Sequence, residues 1–308
     1  MSEVQEYSNG STSLRGVVPT VLTPFNEDLS IDFESLRRLI DDYAHNGVQG
    51  ILVPVVASEV DKLSIQERSD ITRAAVEAAR GRFPVIGGIL AESPEAAARA
   101  AESAVSVGCT GVVCRAPKSI SQAEDETLLR EYYTAAATTG AFFVLQDLAF
   151  DDFGLPLELI ARLFETLPGF RAMKVEVVRT GYKASRILEL TQRRLDVWSG
   201  WAALQMIEGL DRGITVFNVS AYNRVFIDIC TRYFGGDRAG AIERFDQILP
   251  YLAFGRQHID INLSLTKRYL VKRGIFRTGL MREPCIEYDE YHRRYGDEII
   301  DRMIEWER

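Results

Sequence analysis

Short apolar runs and segments of helical periodicity alternate eight times along this chain. The runs fall at 16–22, 50–56, 84–88, 111–114, 142–145, 170–176, 196–199 and 213–217. Each is followed by a helix-like stretch, as in the spacing of Leu36, Leu39, Ile40 and Tyr43 after the first run. An apolar run of this kind between a turn and a helix reads as a strand covered on both faces. Strict alternation dictates a parallel sheet, and eight units of about 27 residues close it into a (β/α)8 TIM barrel. An open doubly wound sheet requires a glycine-rich phosphate turn after the first strand, and Thr23-Pro24-Phe25-Asn26 is not one.

Local signals mark the helix ends. Asn46-Gly47 stops the first helix. Ser64 and Glu67 form a capping box before the second, and Ser93-Pro94 opens the third with proline at its first position. Beyond residue 236 the strands cease. The spacing predicts one helix carrying Ile242, Phe245, Ile248, Leu249 and Leu252, and two more over about 257–273 and 288–306. The expected organisation is a polar tail at 1–13, a barrel at 14–235 and a C-terminal helical region at 236–308. That region either covers the side of the barrel or makes an oligomer contact.

A formal net charge of −8 argues against nucleic acid or an anionic membrane surface as partner. No run approaches the ~18 apolar residues of a membrane span, and the N-terminus has no apolar signal core. Cys109, Cys114, Cys230 and Cys285 show no CxxC spacing and fit a reducing, cytoplasmic setting. His45, His258 and His292 lie far apart in the chain, so no metal site is expected.

In a barrel of this type the site is built at the C-terminal ends of the strands. Those ends are Thr23, the loop at 55–59, Gly88, Arg115, Gln146 with Asp147, Lys174 with Glu176, Ser199 with Gly200, and Thr215. Lys174 stands out. If Met173 and Val175 meet the outer helices, Ala172, Lys174 and Glu176 face the centre. A lysine there is costly unless it is paired or used. An ion pair with Glu176 is one reading. The other is an amine nucleophile that forms an imine with a ketone or aldehyde, such as the carbonyl of a 2-oxo acid.

These marks, in this order, resemble the dihydrodipicolinate synthase / N-acetylneuraminate lyase family of class I aldolases. The resemblance covers residues 14–284. It rests on Pro19-Thr20-Val21-Leu22-Thr23-Pro24-Phe25, Gly47-Val48-Gln49-Gly50-Ile51, and Glu59 with Leu63-Ser64 and Glu67-Arg68. Lys174 after Ala172-Met173, Ser199-Gly200 and Arg282-Glu283-Pro284 complete it. It implies a barrel with a C-terminal helical region, a homo-oligomer (dimer or, commonly, tetramer), and Lys174 in the position of the Schiff-base lysine.

The chain departs from the family where substrate is chosen. The family's carboxylate-binding loop Gly-Thr-Thr-Gly-Glu reads Val55-Val56-Ala57-Ser58-Glu59 here, which leaves backbone amides and the Ser58 hydroxyl. The family's Pro-Tyr-Tyr falls on Arg115-Ala116-Pro117, and its Tyr-Asn-Val-Pro on Gln146-Asp147-Leu148-Ala149. Gln146 cannot pass a proton as that tyrosine does, and the arginine that usually follows falls among Asp151 and Asp152. Glu176 or Asp147 is therefore the candidate acid/base, and Arg115 the candidate carboxylate clamp. Ala57, Ser58, Glu59, Gln146, Ser199, Gly200, Trp201 and Thr215 are the remaining candidates for substrate contact. The expectation is a lyase, of aldolase or dehydratase type, acting on a 2-oxo acid such as pyruvate or on a keto-deoxy sugar acid. It requires no organic or metal cofactor, because the lysine supplies the electron sink. The same departures fit a barrel that binds a small ligand, or serves as a scaffold, without turnover.

Overall fold

The strands are β1 (Gly16–Val17), β2 (Ile51–Val53), β3 (Val85–Ile89), β4 (Gly111–Cys114), β5 (Phe142–Ala149), β6 (Phe170–Val177), β7 (Asp196–Ser199) and β8 (Val216–Phe217). The computed structural model describes residues 14–121 and 126–307, so the expected tail at 1–13 lies outside the described residues. All eight strands pair in parallel, in the order β1-β8-β7-β6-β5-β4-β3-β2. The ring closes through a parallel bridge between Thr20 and Leu52. There Leu52 N–H donates to the Pro19 carbonyl at 2.9 Å and Gln49 N–H to that of Val17 at 2.8 Å. The protein is a (β/α)8 barrel with a C-terminal helical layer.

The outer ring comprises α1 (Phe33–Asn46), α2 (Ile65–Ala79), α3 (Pro94–Ser106), a short α4 (Lys118–Ser121), α5 (Glu126–Ala136), α6 (Leu157–Thr166), α7 (Thr180–Leu190), α8 (Met206–Arg212) and α9 (Asn223–Phe234). The sequence predicts a helix around 125–137 after the fourth strand, and its first residue lies outside the described residues. The local signals act as their chemistry requires. Ser64 and Glu67 cap each other's backbone amides at the start of α2, Ser93 caps α3, and Gly47 ends α1 in the left-handed conformation. Tyr132 and Tyr133 of α5 are buried packing residues.

Two apolar layers separate at the sheet. Val18, Leu52, Ile86, Val113, Val144, Ala172, Trp198 and Val216 fill the lumen. Met173, Val175, Leu145, Cys114 and Ile89 pack outward with the helices. The lumen below the C-terminal strand ends is therefore a packed core, as barrels of this size require.

Several boundaries differ from the sequence expectation, and two differences matter for function. β5 runs to Ala149 rather than stopping at 145, because its pairing with the long β6 continues through Ala149 and Val177. Gln146 and Asp147 thus lie within a strand and point to opposite faces. The eighth strand begins at Val216, so Thr215 precedes it, and the chain carries on past Phe217 with Asn218 N–H bonded to the Ser199 carbonyl at 2.7 Å. Thr215 consequently sits at the wrong end of its strand to contact substrate.

The C-terminal helices are α10 (Arg238–Gly255), α11 (Ile259–Lys272) and α12 (Glu290–Trp306). They do not merely cover the barrel's side. The corner between α10 and α11 reaches the mouth of the lumen, where Leu252, Gly255, Arg256, Ile259 and Asn262 line a cavity. One buried ion pair and one partly exposed one pin this layer down. Lys267 of α11 binds the Glu59 carboxylate and donates to the Leu280 carbonyl at 2.8 Å. Burial pushes the Lys267 ammonium down to about 8, against the pull of Glu59. Arg282 grips both oxygens of Glu67, at 2.6 and 3.0 Å.

Candidate active site

Lys174 sits on β6 directly across from Gln146 of β5 and Trp198 of β7. Trp198 belongs to the lumen core, so the pleat carries the Lys174 side chain into the barrel, just above that core. Glu176, two residues on, shares the face, and its carboxylate Oε2 lies 3.2 Å from the Lys174 amine. Two further donors hold that carboxylate. Gln146 Nε2 donates to Oε2 at 2.5 Å, and the backbone N–H of Trp201 donates to Oε1 at 2.9 Å. Burying a carboxylate is costly unless donors such as these meet it.

Trp201 reaches this position at a cost. Its φ of 54° is in the left-handed region, which costs a bulky residue about 1–2 kcal/mol. The strain aims its amide at Glu176 and its ring toward the cavity, against Phe150.

The Lys174 amine opens onto a cavity at the barrel mouth. Lys174 and Glu176 form its floor, with Thr20, Asn218 and Ser220 from the first and last strand ends. Val56, Ala57, Leu148 and Phe150 supply apolar wall. A concave, mostly apolar space with a few convergent polar groups is the usual form of a small-molecule site. Among the described residues no group of three or more His, Cys, Asp or Glu side chains is placed to hold a metal ion.

A model of the dihydrodipicolinate synthetase family matches residues 13–303. The chain belongs to that family. It is 25% identical over 285 residues to the 4-hydroxy-tetrahydrodipicolinate synthase of Nitrosococcus oceani, covering 90% of this chain and 94% of the other. It is 28% identical over 250 residues to an uncharacterized DapA-like lyase of Rhizobium meliloti, covering 78% and 81%. The crystal structure of dihydrodipicolinate synthase from Rhodopseudomonas palustris superposes with a TM-score of 0.84 at 23% identity, over 94% of this chain and 97% of that one. The family is one of Schiff-base lyases, and this chain is a divergent member of it.

In this dihydrodipicolinate synthetase family member the structure brings together only part of the expected site. Lys174, Glu176, Ala57 and Trp201 line the cavity. Gln146 serves it indirectly, through its hydrogen bond to Glu176. Gly200 is there as space, since a Cβ would stand 2.0 Å from Glu176 Oε1.

Other expected residues are used elsewhere. Asp147 lies across from Val175, not Lys174, and so points into the helix layer. Its carboxylate meets Lys183 of α7 at 2.5 Å and the Leu155 N–H at 3.1 Å. Burial raises the Asp147 pKa and lowers that of Lys183, while their mutual attraction opposes both shifts. Ser199 shares that outer face, across from Val175. The Ser58 hydroxyl is turned inward, donating to the Val21 carbonyl at 2.5 Å and accepting from Val55 N–H at 3.0 Å. Thr23 donates to the Ser58 carbonyl at 2.6 Å, so it too secures the loop. Glu59 is 3% exposed and bound by Lys267, Lys62 and the Arg282 amide. Arg115 lies 3.7 Å from Asp61 and borders a separate, smaller hollow beside Gln146.

Sequence reasoning missed Thr20, Leu148, Phe150, Asn218, Ser220, Arg256 and Asn262. Placing the last strand two residues later would have pointed to Asn218 and Ser220. For Arg256 and Asn262 the sequence carries no signal, because their place depends on how the C-terminal helices fold back.

Proposed function

We propose that this protein is a lyase that binds a 2-oxo acid as an imine on Lys174, with Glu176 as the general acid/base. The observation that carries this reading is the 3.2 Å pair of buried amine and carboxylate at the floor of an open cavity. An ammonium cannot attack a carbonyl, so Glu176 first takes a proton from Lys174. The freed amine adds to the carbonyl carbon. After the proton passes from nitrogen to oxygen, the carbinolamine hydroxyl receives the proton held by Glu176 and leaves as water. An iminium and an ionised Glu176 remain. That iminium accepts the electron pair of a breaking carbon–carbon bond, or stabilises the carbanion that adds to an aldehyde. Glu176 thus does the work of the family's tyrosine, at a position where Gln146 only holds it. Pyruvate and keto-deoxy sugar acids are the substrate classes this reading favours.

Borohydride reduction in the presence of pyruvate and a panel of other 2-oxo acids tests it. The expected result is a reduced adduct on the peptide bearing Lys174, absent from Lys174→Ala. An unchanged intact mass across the panel overturns the reading and leaves a barrel that binds without turnover.

A further inference from the structure

The cavity lining holds two cations, Lys174 and Arg256, against a single carboxylate, Glu176. Glu176 is already engaged by Lys174, Gln146 and Trp201. Arg256 stands at the corner of α10 and α11, exposed at the mouth, whereas Lys174 is 4% exposed at the floor. The Arg256 guanidinium carbon lies over the Trp201 ring, 3.7 Å from its centroid. No carboxylate among the described residues pairs with it, and burial alone perturbs it, lowering its pKa. Stacking fixes the plane of a guanidinium and leaves its edge donors free. A chain with a net charge of −8 thus keeps a local positive site facing its cavity.

Polar groups extend the same wall. Asn262 lines the cavity beside Arg256, and glycine at 255 is what admits it, since a Cβ there would meet Asn262 Nδ2 at 2.5 Å. Deeper in, Asn218 is 4% exposed, and its Oδ1 has no partner while its Nδ2 donates to the Val18 carbonyl.

We infer that Arg256 is the anion-binding and specificity-determining residue of this cavity, selecting substrates that carry a second carboxylate remote from the carbonyl. The inference rests on the imine reading for the site of the carbonyl, but the anion contact itself does not depend on imine chemistry. A planar carboxylate matches the free edge of the guanidinium bidentately. The second carboxylate lies toward the mouth, with the 2-oxo group against Lys174.

The probes are 2-oxoglutarate and 2-oxoadipate, each against the monocarboxylate of equal chain length, 2-oxovalerate and 2-oxohexanoate. Borohydride trapping is followed as a function of concentration on wild type, Arg256→Ala and Arg256→Lys. In wild type, at least one dicarboxylate is expected to half-saturate at a concentration about tenfold below its matched monocarboxylate. Arg256→Ala removes that difference, and Arg256→Lys retains part of it, keeping the charge without the fork. Equal half-saturation within both wild-type pairs, or a preference that persists in Arg256→Ala, overturns the inference. If no 2-oxo acid is trapped, the imine reading fails on its own, and calorimetric titration with adipate and hexanoate decides the anion site. Adipate binding that exceeds hexanoate binding in wild type and is lost in Arg256→Ala supports it, and the absence of that difference refutes it.

Discussion

Gly200 is the space that the Glu176 carboxylate occupies. A Cβ at this position would fall 2.0 Å from Glu176 Oε1 and 2.3 Å from its carboxyl carbon. Gly200→Ala should therefore push Glu176 off the Lys174 amine and cut the rate of imine formation sharply. Overpacking of this kind costs about 1–3 kcal/mol of stability, leaving a folded barrel. Single-turnover trapping kinetics together with a urea melt would check both parts.

Glu176→Gln keeps the shape of the side chain and removes its capacity to exchange a proton. General acid/base catalysis contributes on the order of 10²–10⁴-fold. The variant is expected to lose activity on that scale, read as the single-turnover rate of adduct formation. A rate unchanged from wild type would assign the proton transfer to another group.

Asp147 and Lys183 make a structural pair outside the chemistry. Asp147→Ala leaves a fully buried ammonium whose remaining partners are the carbonyls of Phe153 and Leu155. Losing one member of a buried pair costs about 3–5 kcal/mol. The melting midpoint should drop accordingly, while the folded fraction still gains a borohydride adduct on Lys174. Loss of the adduct from well-folded protein would return Asp147 to the catalytic set.

The clamp between Arg282 and Glu67 predicts an acid sensitivity. The hydrogen bond from Arg282 is the main cause that holds the Glu67 carboxyl at about 2, against an ordinary 4.5. With the folded value below the unfolded one, the stabilisation is complete above pH 4.5 and is lost as pH falls toward about 2. The Glu67 side chain is 27% exposed. After solvent screening the pair contributes about 1–2 kcal/mol. Urea melts of wild type and Glu67→Gln at about pH 6 and about pH 3 should show the gap between them shrinking at the lower pH.

The barrel, its strand count and the identity of the central amine were all legible along the chain. These depend on periodicity and alternation, which are properties of neighbouring residues. Met173, Lys174 and Val175 divide between two faces whatever else the chain does, because a strand's side chains alternate. Capping at Ser64 and Ser93 is likewise a matter of three or four residues.

What the local pattern could not supply was the length of pairing and the course of the last helices. Asp147 was separated from Lys174 only by the extension of β5 along β6, since a residue's face has consequences only once its strand is known to continue. Ser58 and Glu59 read as substrate contacts until the loop's own hydrogen bonds and Lys267, 208 positions away, are seen to consume them. Arg256 has no mark of its own in the sequence. It became a cavity residue because the corner of α10 and α11 folds over the barrel mouth and lays a guanidinium on Trp201. Amino-acid order decided which groups the barrel can point inward, and long-range packing decided which of them are left free to meet a substrate.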